Sequence, residues 1–404
     1  MILKMNNHIL ATNKFETNLL ERAKGSFVWD TNNKKYLDMV SGCWSVNLGH
    51  NHPKVVKTIR DQTERLIHRS MWFLTPETIA AADKLVKFLP YDHDRVTFLS
   101  SGSEAMEFAL NFALKVSKKE KILSLKDGFY GSFGLGRETS YYSPKGSKLK
   151  IDYPRCSDEK CNCLDTYSEL IDLIMKEFAN DLACFALEPI MVSGGIHKPC
   201  TSFINELCRR LQEENILVVA NEVTSGFGRT GKRFAHEHFN IRPDIVALGK
   251  AMGNGFPVSA VVTDSEFEAK LSAAELYYAQ SHQLDPLGAA VARTVIEIFE
   301  QEKPVEKSQA KISRLTQFIN SLDYPFIKEI RAQGMLFAIE IQDYNDHSSH
   351  ELIQKLKNGL LEEGIIVGYS LRKELIRLLP TLTIQVDEIN FFEEKLILVL
   401  NGIK

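Results

Sequence analysis

The sequence predicts an α/β protein with a mainly parallel central sheet in a large domain and a smaller α+β domain. In the middle of the chain, short apolar runs typical of buried strands alternate with segments that have helical apolar spacing. Such alternation favours a parallel sheet that is covered on both faces. After about residue 300, longer helical segments surround isolated candidate strands, which indicates the second domain.

The elements of the large domain follow from this spacing. The predicted strands are apolar runs at Arg95–Leu99, Lys121–Leu125, Ala183–Leu187, Ile216–Ala220 and Ile245–Leu248. Helices are predicted between strands because apolar residues recur there every three or four positions. They lie at Ser103–Val116 and Thr201–Glu214.

The elements of the smaller domain come from both ends of the chain. Its predicted helices and strands are Val305–Leu322, Glu351–Glu363, Gly334–Ile341 and Ile376–Leu379. Near the N-terminus, Ser26–Trp29 and Lys35–Leu37 predict a short hairpin, which we expect to pack with the C-terminal part. We therefore expect residues 46–300 to form the large domain and residues 1–45 with 301–404 the small one.

The composition is that of an ordinary globular protein. The 404 residues include 44% hydrophobic and 25% charged residues, with a formal net charge of −3. The net charge lacks the excess of basic residues that is typical of nucleic-acid-binding proteins. No run of residues is long and apolar enough to span a membrane. The N-terminal residues lack the apolar stretch of a signal peptide, and seven cysteines, an odd number, suit a reducing compartment. We expect a cytoplasmic protein that binds neither nucleic acid nor membranes.

Three of the cysteines, Cys156, Cys161 and Cys163, lie close together in RCSDEKCNC. A structural zinc site normally needs four ligands, and no clear second Cys-x-x-Cys pair lies nearby. The cluster therefore favours a surface loop over a metal site, and we expect no metal.

The segment SSGSE at residues 100–104 lies between a predicted strand and a predicted helix. Ser101 and Glu104 have the spacing of a capping box. The small residues leave backbone N–H groups accessible at the positive end of the helix, where a phosphate binds well. A well-capped helix without a ligand explains the same residues.

The segment Gly226–Gly231 has the spacing G-x-G-x-x-G of a dinucleotide-binding turn. The residues after it do not form a clean amphipathic pattern. No acidic residue ends a strand about 20 residues further on, since Asp244 comes too early. The context therefore argues against a dinucleotide site.

Lys250 follows the apolar run Ile245–Leu248 and precedes small residues. Lysine is seldom buried without a purpose. Desolvation lowers the pKa of an amine and makes it a better nucleophile toward an aldehyde. The alternative is a lysine that extends along apolar surface to reach solvent.

Taken together, the motifs SGSEA, GFYG, LEP, NEVTSGFGRTG and PDIVALGKAMGNGFPVSAV occur in a specific order and spacing. Over about residues 35–385 they resemble class III aminotransferases, which have pyridoxal-5′-phosphate (PLP) fold type I. The resemblance implies that fold, PLP as cofactor, aminotransferase activity and a homodimer. It also implies that Lys250 carries the cofactor as a Schiff base.

Further cofactor-binding roles are implied by matching positions. Gly102 and Ser103 match the phosphate-binding turn. Phe129 matches the aromatic residue that stacks on the pyridine ring, and Val223 matches the apolar residue against its other face. Ser281 stands where the family usually has a threonine that reaches the phosphate in the neighbouring subunit.

Asn221 departs from the family pattern, which has aspartate before the glutamate and valine. That aspartate keeps the pyridine nitrogen protonated, so that the ring can take up electrons. Asparagine can hydrogen-bond to the nitrogen, but it supplies no charge. Glu222 is a poor substitute because successive strand residues point to opposite faces. The strength of the electron sink is therefore in doubt.

Substrate binding is implied for Trp44 and Arg377. Arg377 matches an arginine that binds the substrate carboxylate, which a planar guanidinium pairs with through two hydrogen bonds. Trp44 falls where the family lines its pocket, although it could equally be a core residue. Ser193 replaces a glutamate that often manages the pocket arginine. We expect an amine or ω-amino donor with an apolar or neutral reactive end and a small keto acid acceptor.

The expected reaction is ping-pong transamination, in which Lys250 acts as general base and acid. Alternatives with the same cofactor are a racemase, an aminomutase or a decarboxylase. A non-catalytic binding protein of the same fold is more distant, because Lys250, Ser103 and Phe129 occur together.

Overall fold

The structure is a computed structural model that describes residues 8–10, 15–16, 18–143, 149–155, 163–273 and 278–403. Cys156 and Cys161 of the cysteine cluster lie outside these ranges, and Cys163 begins a helix. Across the described parts of the chain, we find no helix with the length and apolar character that crossing a bilayer requires.

The chain forms strands and helices in the following order. The strands are β1 (Leu20–Lys24), β2 (Phe27–Asp30), β3 (Lys35–Asp38), β4 (Arg95–Leu99), β5 (Lys121–Leu125), β6 (Leu149–Ile151), β7 (Leu182–Leu187), β8 (Leu217–Asn221), β9 (Ile245–Leu248), β10 (Ser259–Thr263), β11 (Ile327–Gln333), β12 (Leu336–Ile341), β13 (Ile365–Ile366), β14 (Gly368–Ser370) and β15 (Leu375–Leu378). The helices are α1 (Ser41–Trp44), α2 (Pro53–Arg65), α3 (Pro76–Phe88), α4 (Gly102–Ser117), α5 (Gly134–Thr139), α6 (Cys163–Phe178), α7 (Thr201–Glu213), α8 (Ser265–Ala273), α9 (Pro286–Glu302), α10 (Pro304–Asn320), α11 (Ser349–Glu362) and α12 (Val386–Asn401).

A seven-stranded sheet with the order β4-β10-β9-β8-β7-β5-β6 forms the centre of the molecule. Neighbours from β9 to β6 pair in parallel, whereas β10 runs antiparallel to both β4 and β9. Strands β7, β8 and β9 are buried along their whole length. This confirms the mainly parallel sheet, and all five predicted strands belong to it. The antiparallel strand β10 was not expected, because a short apolar run carries no sign of its direction.

Two smaller four-stranded sheets flank this centre. The sheet β11-β12-β15-β14 is antiparallel throughout. The other, β1-β2-β3-β13, joins the N-terminal hairpin to the C-terminal part, because β13 pairs in parallel with β3. A further backbone hydrogen bond joins the same two parts of the chain, because the N–H of Leu379 donates to the carbonyl of Met39 at 2.7 Å. Segments from both ends of the chain are thereby brought beside the central sheet.

The helix α4 shows how the sequence positions the site. Ser101 Oγ accepts the N–H of Glu104, and the Glu104 carboxylate accepts the N–H of Ser101 at 2.7 Å, which completes the capping box. The helix ends at Lys118, which has the left-handed conformation. One apolar face packs on the central sheet through Ala105, Ala109 and Ala113. The first turn therefore stands at the edge of the sheet where the parallel strands end.

Candidate active site

Three segments of the chain come close together at the start of α4. A Cβ atom at Gly102 would overlap the side chain of Val223, so glycine is required for this close approach. Ser103 Oγ accepts the backbone N–H of Ser132 at 3.1 Å. The start of the helix, the loop after β5 and the end of β8 therefore meet here, beside N–H groups that have no partner within the helix.

Both backbone polar groups of Phe129 are hydrogen-bonded. Its N–H donates to Glu188 Oε2 at 2.7 Å, and its carbonyl accepts from Asn221 Nδ2 at 2.6 Å. Asn221 Oδ1 in turn accepts the N–H of Val223 at 3.1 Å. Asn221 thus ties together the two residues expected to flank the pyridine ring. The ring of Phe129 also stacks on Tyr142, with 5.8 Å between centroids.

Lys250 lies at the end of β9 with a φ of 45°. This left-handed conformation is uncommon for a residue with a side chain and concentrates at functional sites. Its Nζ donates to Thr224 Oγ1 at 2.5 Å. Burial lowers the pKa of Lys250 to about 8. The lysine is partly exposed, and its Nζ lies beside Thr224 and the Trp44 ring.

Two residues of this region were missed by the sequence reasoning. Thr224 contacts the lysine directly, and Glu188 is fully buried, with its second oxygen accepting the N–H of Val192 at 3.1 Å. Burial raises the pKa of Glu188 to about 8. A signal for Glu188 existed, since a glutamate directly after an all-apolar strand must find buried partners.

The remaining polar residues of β8 and its following turn face elsewhere. Glu222 accepts the backbone N–H of His236 at 2.7 Å, and its other oxygen accepts from Ser225 at 2.7 Å. It therefore points away from Asn221, as strand alternation predicts. The turn Gly226–Gly231 closes on itself, because the N–H of Gly231 donates to the carbonyl of Gly228 at 3.1 Å, and the helix that follows has only four residues. This context does not match a dinucleotide-binding turn.

Trp44 and Arg377 form a second group of residues beside Lys250, which we call the substrate side. The residues around Phe129, Asn221 and Thr224 form the cofactor side. The ring of Trp44 lies 4.8 Å from Lys250 Nζ and 5.5 Å from the Arg377 guanidinium carbon. Trp44 is partly buried and packs at the margin of an apolar cluster. Arg377 Nη2 donates to the backbone carbonyl of Ser193 at 2.7 Å. The serine that replaces the family's glutamate thus holds the arginine through its backbone.

Arg377 retains an unused donor. The side chain is 7% exposed, and its Nε has no hydrogen-bond partner among the described residues. Burial lowers the pKa of Arg377, so the charge is not well solvated in the absence of an anion. An orphaned guanidinium N–H in a pocket wall is what a carboxylate ligand would satisfy.

Ser281 lies apart from the other predicted residues. It is exposed in the turn before α9, and the described contacts do not connect it with Lys250. Its neighbour Gln280 donates to Ser100 Oγ at 3.0 Å and to Glu104 Oε1 at 2.9 Å. The structure thus brings together Trp44, Gly102, Ser103, Phe129, Asn221, Val223, Lys250 and Arg377, and leaves Ser281 on the surface.

These residues fit PLP. The start of α4 suits a phosphate, Phe129 and Val223 suit the faces of an aromatic ring, and Lys250 suits an aldehyde. The fold and the site therefore define a PLP-dependent enzyme of fold type I. The chain belongs to the class III aminotransferases, because the family model described as "Aminotransferase class-III" matches residues 11–400.

Curated relatives cover nearly the whole chain. The leucine/methionine racemase of Thermococcus litoralis is 30% identical over 93% of this chain and 88% of its own length. The acetylornithine aminotransferase of Methanocaldococcus jannaschii is 31% identical, covering 92% of this chain and 90% of its own. The second relative agrees with the aminotransferase family, whereas the first is named a racemase.

Solved structures confirm the fold. An (S)-enantioselective omega-transaminase from Thermomicrobium roseum superposes with a TM-score of 0.89 at 25% identity, covering 98% of this chain and 96% of that one. A pyridoxamine-phosphate-bound aminotransferase from Vibrio fluvialis gives a TM-score of 0.87 at 23% identity, covering 96% and 92%.

Proposed function

We propose that this aminotransferase moves an amino group from an amine or ω-amino compound to a small keto acid, with PLP bound to Lys250. The position of Lys250 carries the proposal. Its Nζ lies between Thr224 on the cofactor side and the Trp44 ring on the substrate side. Because burial lowers the pKa of Lys250 to about 8, an appreciable fraction of the amine is unprotonated near neutral pH.

Each residue contributes a separate part of the chemistry. When bound, PLP supplies an aldehyde and a conjugated ring that takes up electrons from the substrate carbon. The Nζ of Lys250 would take a proton from the substrate carbon as general base and give it back as general acid. Thr224 accepts a hydrogen bond from Nζ and orients it. Arg377 binds the carboxylate of the keto acid, for which its orphaned Nε is available.

The choice of donor follows from the substrate-side wall. Trp44 offers an apolar ring, and Ser193 holds Arg377 through a carbonyl instead of a carboxylate. No acidic side chain hydrogen-bonds to Arg377 among the described residues, so the arginine stays available for the acceptor. We therefore propose a donor with an apolar or neutral reactive end.

Two measurements test this function. Borohydride reduction of the purified protein, followed by peptide mass mapping, should place the cofactor on Lys250. A panel of amine donors should then convert the visible band of bound PLP to that of pyridoxamine phosphate, and pyruvate or 2-oxoglutarate should reverse it. An adduct on another lysine would contradict the assignment of Lys250. Conversion of bound PLP to pyridoxamine phosphate only by acetylornithine or ornithine would contradict the proposed donor class.

A racemase is the second candidate. Asn221 supplies no charge to the ring nitrogen, and one relative is named a leucine/methionine racemase. A racemase inverts amino acids with no keto acid present, whereas an aminotransferase requires both half-reactions. Chiral chromatography of amino acids incubated with the enzyme alone distinguishes the two reactions.

We further propose a homodimer. An exposed apolar surface formed by Ile67, Met71, Trp72, Phe73 and Leu74 lies on the single chain, with Trp72 79% exposed. Monomers rarely leave such contiguous apolar surface in water. A two-fold partner would cover it and bring Ser281 to the start of α4 in the partner subunit. Sedimentation should give a dimer, and Trp72→Asp with Phe73→Asp should dissociate it. An active monomer in the unmodified protein would contradict the proposal.

The remaining expectations are also proposals. We propose that residues 46–300 form a large domain and that residues 1–45 with 301–404 form a small one. The pairing of β3 with β13 supports the second grouping. We propose a cytoplasmic enzyme without nucleic-acid or membrane partners, supported by its near-neutral charge and odd number of cysteines. Limited proteolysis and cell fractionation test these two points.

A further inference from the structure

We propose that Asn221 is a positioning residue that fixes Phe129 and meets the ring nitrogen of PLP with a neutral amide, so that this nitrogen is unprotonated at neutral pH. This role rests on the proposed PLP site at Lys250. It concerns how the enzyme uses its cofactor, which the family membership does not decide, because the asparagine is a departure from the family pattern.

The orientation of the Asn221 amide is unambiguous. Its Nδ2 donates to the carbonyl of Phe129 at 2.6 Å, and its Oδ1 accepts the N–H of Val223 at 3.1 Å. A carbonyl can only accept and a backbone N–H can only donate, so the reverse orientation loses both bonds. A carboxylate at this position would place one oxygen against the carbonyl oxygen of Phe129. The two backbone partners therefore suit an amide better than a carboxylate.

The surrounding contacts place the ring nitrogen beside this amide. In pyridoxal the nitrogen lies across the ring from the carbon that bears the aldehyde. Thr224 contacts Lys250 and so occupies the aldehyde end. Asn221 bridges Phe129 and Val223, the residues expected to flank the two faces of the pyridine ring. The hydrogen bonds of its amide go to these two residues and not to Lys250 or Thr224. We therefore assign Asn221 to the edge of the ring that carries the nitrogen, opposite the aldehyde.

The charged groups around this edge do not favour a protonated nitrogen. Glu222 faces His236 and Ser225 on the other side of β8. Glu188 uses both oxygens for backbone N–H groups at Phe129 and Val192, so neither is directed at the ring nitrogen, and burial raises its pKa to about 8. Lys250 and Arg377 can only add positive charge. A nearby positive charge and the absence of an anion both lower the pKa of a pyridine nitrogen.

The nitrogen can be observed directly. We would bind PLP labelled with ¹⁵N in the ring to the intact protein and record its ¹⁵N chemical shift across neutral pH. The expected signal is that of an unprotonated pyridine, and a protonated signal would overturn the inference. Borohydride mapping on the same sample separates this failure from that of the proposed function, which would show no adduct on Lys250.

Three variants make the test sharper. Asn221→Asp should move the signal toward protonated pyridine, and an unchanged signal would show that residue 221 does not meet the nitrogen. Asn221→Ala should leave the nitrogen unprotonated but raise the dissociation constant for PLP about tenfold, because Phe129 loses its anchor. Unchanged affinity in this variant would overturn the positioning role. Thr224→Val is the matched control at the other edge, and a changed nitrogen signal there would overturn the assignment of the two edges.

Discussion

The two walls of the active site are held in different ways. On the cofactor side, Phe129, Asn221, Thr224 and Lys250 are linked to one another or to backbone by hydrogen bonds before any ligand binds. On the substrate side, Trp44 is partly exposed and Arg377 keeps an unpartnered Nε among the described residues. Side chains whose polar groups are already hydrogen-bonded have fixed positions, whereas an unpartnered buried donor favours the binding of a ligand that can accept its hydrogen bond.

The walls also come from different parts of the chain. The cofactor-side residues follow the buried parallel strands β5, β8 and β9, whose ends must meet at one edge of the sheet. Trp44 precedes the large sheet in the chain and Arg377 lies in β15 of a smaller sheet. Under the proposed function, the reaction type depends on the central sheet, and the choice of substrate depends on how two flanking segments pack.

The largest expected effect comes from the cofactor side. Lys250→Ala should retain PLP only non-covalently and lose transamination by several orders of magnitude, because the nucleophile and the general base are the same residue. Stopped-flow measurement of the half-reaction gives the loss. Lys232→Ala is a matched control, since Lys232 is exposed and donates to the carbonyl of Glu237. Comparable losses in the two variants would mean that Lys250 has no special role.

A smaller and selective effect is expected from Arg377→Ala. The KM for the keto acid should rise about 10- to 100-fold, as expected for losing hydrogen bonds to a charged group. The KM for a donor without a carboxylate should change little. Arg372→Ala, on the same hairpin but exposed, is the control. If donor and acceptor suffer equally, Arg377 supports the fold or the cofactor and not the acceptor.

Trp44→Ala should act on the donor. Removal of the ring should raise the KM for apolar amines about tenfold, the order of one lost aromatic contact. The melting temperature should change little, because Trp44 is only partly buried. Trp29→Ala is the control, since Trp29 is also partly buried but lies in the N-terminal hairpin. A large drop in stability without any change in KM would make Trp44 a structural residue.

The smallest effect concerns pH and the buried Glu188. Its pKa is raised by burial from 4.5 to about 8, so the folded protein keeps a proton that the unfolded chain releases. The stability from this group is complete below about pH 4.5 and is lost as the pH rises through about 8. Between these limits the free energy of unfolding should fall by about 1.4 kcal/mol per pH unit.

Glu188→Gln cannot titrate and should remove this slope. Denaturant unfolding of both proteins at mildly acidic and neutral pH measures the difference. Glu206→Gln is a control, because Glu206 is partly exposed and its hydrogen bond with Arg209 lowers its pKa instead. Parallel pH profiles for Glu188→Gln and the unmodified protein would show that Glu188 is ionised in the folded state.

The sequence by itself determined five of the seven strands of the central sheet and the start of α4. Apolar periodicity and capping-box spacing are local properties, and local properties can be recognised without the fold. The order of the motifs was enough to indicate PLP and to single out Lys250. The direction of β10 and the pairing of β3 with β13 could not be read in this way, because pairing depends on residues far apart in the chain.

Only the tertiary structure decided the contacts within the site. It places Trp44 against both Lys250 and Arg377, links Arg377 to the Ser193 backbone, and leaves Ser281 exposed. It also shows that the Asn221 amide has two backbone partners, one on each residue expected to flank the pyridine ring. The physical reason is that hydrogen-bond partners and burial depend on which segments meet in space, whereas periodicity reports only how one segment faces its surroundings.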